Sequence, residues 1–169
     1  VGLDWNQLSF SLSAATSLLR QKKHLKIKFL TIRMTKLEAG LAEAMELAPG
    51  SKVIAISRML LVSGQPYWLQ HSFLHPVPTL PVVESDLTLA TVSDFFAPGH
   101  SLRLKKARAA LKAELPNAAD AAFLGIDQSY PVFKLEYRYF DFTDKPLGCG
   151  RLLLPPGHVA FESDLGLWN

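Results

Sequence analysis

Two polar side chains interrupt an apolar hairpin and are the first candidates for chemistry in this chain. Arg58 and Gln70 lie in the stretch RMLLVSGQPYWLQHSFLHP, where two apolar, aromatic-rich runs are joined by a turn at Ser63, Gly64, Gln65 and Pro66. A guanidinium can bind a carboxylate or phosphate through two parallel hydrogen bonds. We therefore interpret Arg58 and Gln70 as candidate ligand contacts on strands that otherwise resemble a core.

The other reactive residue types form no catalytic or metal-binding motif. His71 and His75 have a helical ligand spacing, but on the predicted strand four residues span about 13 Å, too far for one ion. Cys149 is the only cysteine, and neither a G-x-S-x-G elbow nor a phosphate-binding glycine loop occurs. The remaining histidines are interpreted as surface residues, namely His24, His100 and His158. We expect no metal, no cofactor and no enzymatic activity.

Composition predicts a single folded domain. The chain has 169 residues, of which 49% are hydrophobic and 20% charged. A single cysteine excludes a disulfide framework and favours the cytoplasm, and no apolar run approaches the roughly 20 residues of a membrane-spanning helix. The net charge is +3, with basic runs at 20–28 and 103–108. Because lysines alternate there with apolar residues, these runs predict the solvent-facing side of strands, not a nucleic-acid surface.

An internal repeat organises the elements that must position Arg58 and Gln70. Residues 42–76 resemble residues 121–156: each copy has a short helical segment, a long alternating strand, a turn and a returning run bounded by prolines. Two antiparallel units of this kind predict an α+β domain of about six strands with pseudo-twofold symmetry.

Capping signals and the repeat predict further elements. Thr35 and Glu38 have the spacing of a capping box, while Asn117 and Gly125 are candidates for the first and last caps of the helix in the second copy. Strands are predicted at 25–34 and 101–115, and helices at 11–21 and 91–97. The composition of 101–115 favours a helix, but its register in the repeat predicts a strand.

The ordered series of patterns resembles a known family. "APGSKVIAISRMLLVSGQPYWLQHSFLHP", "DLTLATVSDFF" and "AADAAFLGIDQSYPVFKLEYRYFDFTDKPLG" resemble the UTRA domain, the ligand-sensing half of HutC-type GntR transcription regulators. The resemblance runs from about Leu8 to the C-terminus. It implies a chorismate-lyase-like fold for residues 9–169, with residues 1–8 as a remnant of an interdomain linker. It also implies a cytoplasmic homodimer that binds operator DNA through a winged helix-turn-helix absent from this chain.

The resemblance implies an effector pocket. Arg58 matches the first arginine of the family's hairpin, Gln70 stands where a glutamate is common, and four hydroxyl residues match the polar starts of two outer helices, namely Ser9, Ser11, Thr91 and Ser93. Helix N-termini and hydroxyls favour an anionic group. Leu60 and Gly148 replace a second arginine and another glutamate. We therefore expect a partly apolar small-molecule effector with one acidic group.

Three alternatives remain open at the level of sequence. Ser11 and Thr91 would merely cap helices if Arg58 paired with an acid such as Glu136. A chorismate-lyase-like enzyme would use Arg58 together with Arg151. A pure dimerisation module without ligand would present exposed aromatic residues to a symmetric partner, namely Tyr137, Tyr139 and Phe140.

Overall fold

The computed structural model describes residues 25–76 and 105–157. These segments contain six strands and two short helices: β1 (Leu25–Lys36), α1 (Ala39–Ala44), β2 (Lys52–Val62), β3 (Gln65–Leu74), β4 (Lys106–Glu114), α2 (Ala118–Leu124), β5 (Val132–Phe140) and β6 (Pro146–Leu154). The predicted helices at 11–21 and 91–97 lie outside the described residues. Neither of the two described helices is long and apolar enough to cross a membrane.

The strands form one antiparallel sheet in the order β1-β2-β3-β6-β5-β4. Exchanging the two units leaves this order unchanged, which confirms the predicted α+β class and the pseudo-twofold repeat. The units join where β3 pairs with β6, and His71 lies directly opposite Arg151 at this junction. These two residues occupy equivalent places in the two units, so the pseudo-twofold axis passes between them.

The repeat predicts strand β4 correctly where helix propensity would not. The described part of the predicted strand 101–115 forms β4. Glu114 lies opposite Val132 in the second unit, just as Thr35 lies opposite Val53 in the first. Pairing with β5 therefore outweighs the helix preference of its alanine, leucine and lysine residues.

The two helices differ at their starts. Asn117 caps α2 as predicted, because its side-chain oxygen accepts a hydrogen bond of 2.8 Å from the backbone amide of Asp120, and Gly125 ends the helix with a left-handed φ of 67°. The predicted capping box is wrong. Thr35 still belongs to β1, where the ladder with β2 holds its backbone, and Glu38 precedes α1 without a side-chain capping bond.

The sheet has two different faces. Both helices pack on one face, which we call the helix face, through two clusters: α1 with Val53, Phe73 and Cys149, and α2 with Met59, Leu69, Val132 and Leu153. The opposite face, which we call the apolar face, carries the largest core cluster. Its buried members are Ile56, Leu60, Trp68, Leu74, Leu135, Tyr137, Tyr139, Leu147, Leu152 and Leu154.

The aromatic residues of β5 do not form an exposed surface. Tyr137, Tyr139 and Phe140 are 8%, 6% and 6% exposed, and the two tyrosines belong to the largest core cluster. The interpretation of these three side chains as a surface for a symmetric partner is therefore wrong. Instead, these side chains are buried within the chain itself.

Candidate functional site

Arg58 and Gln70 meet on the apolar face. They lie directly opposite each other on β2 and β3, so their side chains share a face. Arg58 Nε donates a hydrogen bond of 2.6 Å to Gln70 Oε1, and the guanidinium carbon lies 5.8 Å from the centre of the Trp68 ring. Arg58 is 3% exposed and Gln70 is 7% exposed. A buried positive charge thus lies among the largest apolar cluster of the sheet.

Tyr137 and Ser72 extend this pair into a network, which we call the Arg58 network (Arg58, Gln70, Tyr137 and Ser72). Gln70 Nε2 donates a 2.7 Å hydrogen bond to the Tyr137 hydroxyl, which shares another of 2.8 Å with Ser72 Oγ. Gln70 thus uses its carbonyl towards Arg58 and its amide towards Tyr137. A glutamate here would lack the amide donor.

Burial controls the protonation of the tyrosines in this face. Burial raises the pKa of Tyr137 to about 12, although the hydrogen bonds from Ser72 and Gln70 and the charge of Arg58 act in the opposite direction. Burial, followed by the influence of Tyr137, also raises the pKa of Tyr139. Both hydroxyls are therefore neutral, and neither tyrosine supplies a negative charge to balance Arg58.

The pseudo-twofold symmetry explains how Tyr137 comes to contact Gln70. In the second unit, Tyr137 lies opposite Gly150. In the first unit, the equivalent residues are Arg58 and Gln70, which also lie opposite each other. A Cβ atom added to Gly150 would lie 2.5 Å from the Tyr137 hydroxyl, so the missing side chain leaves room for the phenol. Sequence reasoning missed Tyr137 and Ser72. The repeat alignment of Tyr137 with Arg58 was the available signal.

The two departures from the family pattern have local reasons. Leu60, in place of an arginine, is fully buried opposite Trp68. Gly148, in place of a glutamate, leaves no space for a side chain, because a Cβ there would lie 2.8 Å from a Leu74 methyl and 2.9 Å from the Phe73 carbonyl oxygen. Both positions are committed to close packing on the apolar face.

A second polar cluster lies on the helix face at the pseudo-twofold axis. Asp120 of α2 accepts hydrogen bonds of 2.9 Å from His71 Nε2 and from Arg151 Nη2, and Ser57 Oγ lies 2.8 Å from His71 Nδ1. Burial alone would raise the pKa of Asp120, but the hydrogen bond and charge of His71, the charge of Arg151 and a bond from Asn117 together hold that pKa below its usual value. Asp120 thus ties α2 to both units.

This geometry contradicts two of the alternatives. Arg58 lies on the apolar face and Arg151 on the helix face, so the two arginines cannot clamp one dicarboxylate as a chorismate-lyase-like reaction would require. Glu136 also lies on the helix face, where its carboxylate binds Lys112 and Lys134, and it is not a partner of Arg58. Among the described residues, no group of three or more histidine, cysteine or acidic side chains could hold a metal ion.

The four hydroxyl residues of the predicted pocket, Ser9, Ser11, Thr91 and Ser93, lie outside the described residues. Of the six predicted ligand contacts, the structure therefore describes two, Arg58 and Gln70, and it brings these two together. The remaining four stay predictions.

Comparison with known proteins agrees with this architecture. A family model described as the UTRA domain matches residues 20–159. The chain belongs to the UTRA domain family. None of the curated proteins matches the sequence significantly.

Solved structures support the UTRA fold. The ligand-binding domain of a GntR-family transcriptional regulator from Bordetella bronchiseptica is 21% identical, with a TM-score of 0.73 over 85% of this chain and 90% of that one. A transcriptional regulator from Streptomyces coelicolor is 23% identical, with a TM-score of 0.75 over 83% and 93%. The effector domain of PhnF from Mycobacterium smegmatis is 20% identical, with a TM-score of 0.75 over 92% and 93%. At these identities the similarity establishes the fold.

Proposed function

We propose that this UTRA domain is the small-molecule effector-binding and dimerisation domain of a cytoplasmic DNA-binding transcription regulator. The observation that carries the proposal is the buried guanidinium of Arg58, held by Gln70 on the apolar face. The names of the similar structures, which include a ligand-binding domain and an effector domain of transcriptional regulators, support the same function. The domain is proposed to sense a ligand and to perform no chemical reaction.

The proposed effector is a partly apolar molecule with one acidic group. Arg58 offers a cation suited to a carboxylate or phosphate, and Trp68 and Leu60 beside it are apolar. We propose that Ser9, Ser11, Thr91 and Ser93 complete the pocket. With a leucine at position 60 and a glycine at 148, the site lacks the charges that a polyanionic sugar phosphate would require.

In the proposed mechanism, the effector changes the arrangement of two copies of the domain. A ligand shifts such an equilibrium only by binding one arrangement more tightly than the other. The arrangement then sets how well a separate DNA-binding domain of the full regulator contacts its operator. Sedimentation velocity of the 169-residue chain tests the dimer directly, and a monomer at all concentrations would contradict this part of the proposal.

Tryptophan fluorescence offers a direct test of effector binding. With Trp5 and Trp168 replaced by phenylalanine, Trp68 reports on the surroundings of Arg58. A screen of carboxylates and phosphates with partly apolar bodies should yield compounds that change this fluorescence saturably. Arg58→Lys should weaken the binding at least tenfold, because the ammonium lacks the planar fork of donors.

Lys112→Gln, on the helix face, is the matched control for that experiment and should leave the affinity of a hit unchanged. Hits that bind Arg58→Lys as well as the unaltered chain would contradict the proposed site. A screen without hits, for a chain that dimerises, would favour the pure dimerisation module.

A further inference from the structure

A groove on the helix face lies on the other side of the sheet from the Arg58 network. Its volume is about 790 Å³, and it runs beside α1 across the middle of the sheet. Leu41 of α1 and Phe73 of β3, both half-buried, give it an apolar wall. Arg108 and Arg138 line it on the side of β4 and β5. We call it the helix-face groove.

Arg108 and Arg138 are an unusual pair. They lie directly opposite each other on β4 and β5, so both guanidinium groups project from the same face. Directly opposed like charges destabilise a sheet. Both side chains are exposed and lie against the ring of the buried Phe140, with guanidinium carbons 5.4 and 6.0 Å from the ring centre. Each guanidinium thus makes a cation–π contact with Phe140, and both arginines line the groove.

The acidic side chains around this pair are occupied by other cations. Glu136 binds Lys112 at 2.7 Å and Lys134 at 3.0 Å, and Lys134 also binds Glu114 at 2.6 Å. Asp120 binds His71 and Arg151. In the part of the chain that the structure describes, no carboxylate forms an ion pair with Arg108 or Arg138. Two acidic residues, Glu38 and Glu136, line the groove. Five basic residues also line it, namely Arg33, Lys36, Arg108, Arg138 and Arg151, so the lining carries an excess of positive charge.

We propose that the helix-face groove is a second ligand site, which binds a small organic anion. Arg108 and Arg138 bind its carboxylate or phosphate, since two guanidinium groups on adjacent strands can donate to separate oxygens of one such group. Leu41 and Phe73 contact the apolar body of the ligand. This site is distinct from the proposed effector pocket, because the two lie on opposite faces of the sheet.

Nuclear magnetic resonance titration of the 169-residue chain tests the proposal. The probes are inorganic phosphate and benzoate, added at an ionic strength held constant with sodium chloride. Both should give saturable shifts of the Arg108 and Arg138 Nε–H signals, and benzoate should also shift the Phe73 ring. Arg108→Gln and Arg138→Gln should each raise the dissociation constants at least tenfold. Lys26→Gln, at an exposed lysine of β1 that does not line the groove, should change them less than twofold.

Two results would overturn the proposal. The first is a set of shifts that grow linearly without saturation. The second is binding that survives Arg108→Gln and Arg138→Gln but is lost in Arg58→Lys, which would move the anion to the apolar face and leave the proposed effector pocket intact.

Discussion

At the scale of the residue, the Arg58 network shows how a sheet tolerates a buried cation. An isolated charge is costly to remove from water, and a buried polar group must find hydrogen-bond partners. Gln70 meets the second demand, because it accepts a hydrogen bond from Arg58 and donates one to Tyr137. The amide that interrupts an apolar run in the sequence is thus needed to hold the arginine in place.

Tyr137→Phe tests the contribution of this network to stability. The substitution keeps the ring but removes the hydroxyl that Gln70 and Ser72 contact, leaving buried polar groups without a partner. The free energy of unfolding, measured by urea denaturation at pH 7, should fall by about 1–3 kcal/mol. Tyr130→Phe is the control. Tyr130 is 56% exposed, and its loss of a hydroxyl should change the same quantity by less than about 0.5 kcal/mol.

The stability difference between the unaltered chain and Tyr137→Phe should also depend on pH in the alkaline range. The pKa of Tyr137 is about 12 in the folded chain, above the ordinary value of 10.0. The stabilisation from keeping this hydroxyl neutral is complete below pH 10 and is lost as the pH rises towards 12. The stability advantage of the unaltered chain over Tyr137→Phe should therefore shrink by about 1.4 kcal/mol per pH unit in that range. A constant difference would contradict the burial of this phenol.

At the scale of the element, the two helices occupy equivalent places in the repeat but start differently. Asn117 supplies a side-chain cap to α2 and also donates to Asp120, whereas Glu38 makes no capping bond to α1. Without a side-chain cap, α1 depends more on packing: Ala42 of the helix and the flanking residues Leu37 and Met45 form a buried cluster with the sheet.

This difference predicts unequal effects of alanine at the two caps. Asn117→Ala should lower the free energy of unfolding by about 1 kcal/mol, because the backbone amide of Asp120 loses its acceptor. Glu38→Ala should change it by less than about 0.5 kcal/mol, because no capping bond is lost. Chemical denaturation of both variants checks the prediction. Equal losses would mean that capping does not distinguish the helices.

The elements were largely predictable from sequence because the repeat supplies the missing partner of each strand. The strand at 101–115 is the clearest example, since its own composition favours a helix. The prediction of a capping box at Thr35 was wrong because a local motif does not show long-range pairing. The ladder between β1 and β2 already holds the backbone of Thr35. The contact of Gln70 with Tyr137 was also beyond local patterns, since it depends on how the two units join.

At the scale of the whole molecule, the junction of β3 with β6 decides how the two units are placed. Among the described strands, it is the only ladder between the units. Asp120 bridges it on the helix face, and the Arg58 network crosses it on the apolar face, from Gln70 to Tyr137. Contacts on both faces of the sheet therefore hold β3 and β6 in register. Both candidate ligand sites depend on this register.

Gly150→Ala tests this role of the junction. A Cβ at position 150 would lie 2.5 Å from the Tyr137 hydroxyl and would also clash with the backbone carbonyl of His71, which belongs to the β3–β6 ladder. Overpacking of this kind costs about 1–3 kcal/mol, and we expect the upper part of that range because a backbone atom cannot rotate away. Gly40→Ala, in α1 with open space around it, should instead stabilise the chain by about 0.5–1 kcal/mol.

These effects are measured by urea denaturation of chains in which Trp5 and Trp168 are replaced by phenylalanine, followed by both circular dichroism and Trp68 fluorescence. Comparison of the two signals shows whether the units unfold together. If the junction couples the two units, the urea midpoints of both signals should shift by the same amount in Gly150→Ala, because the strained β3–β6 ladder is shared by both units. A shift confined to one signal would mean that each unit is stable by itself. The placement of the Arg58 network across two units would then contribute little to the stability of the sheet.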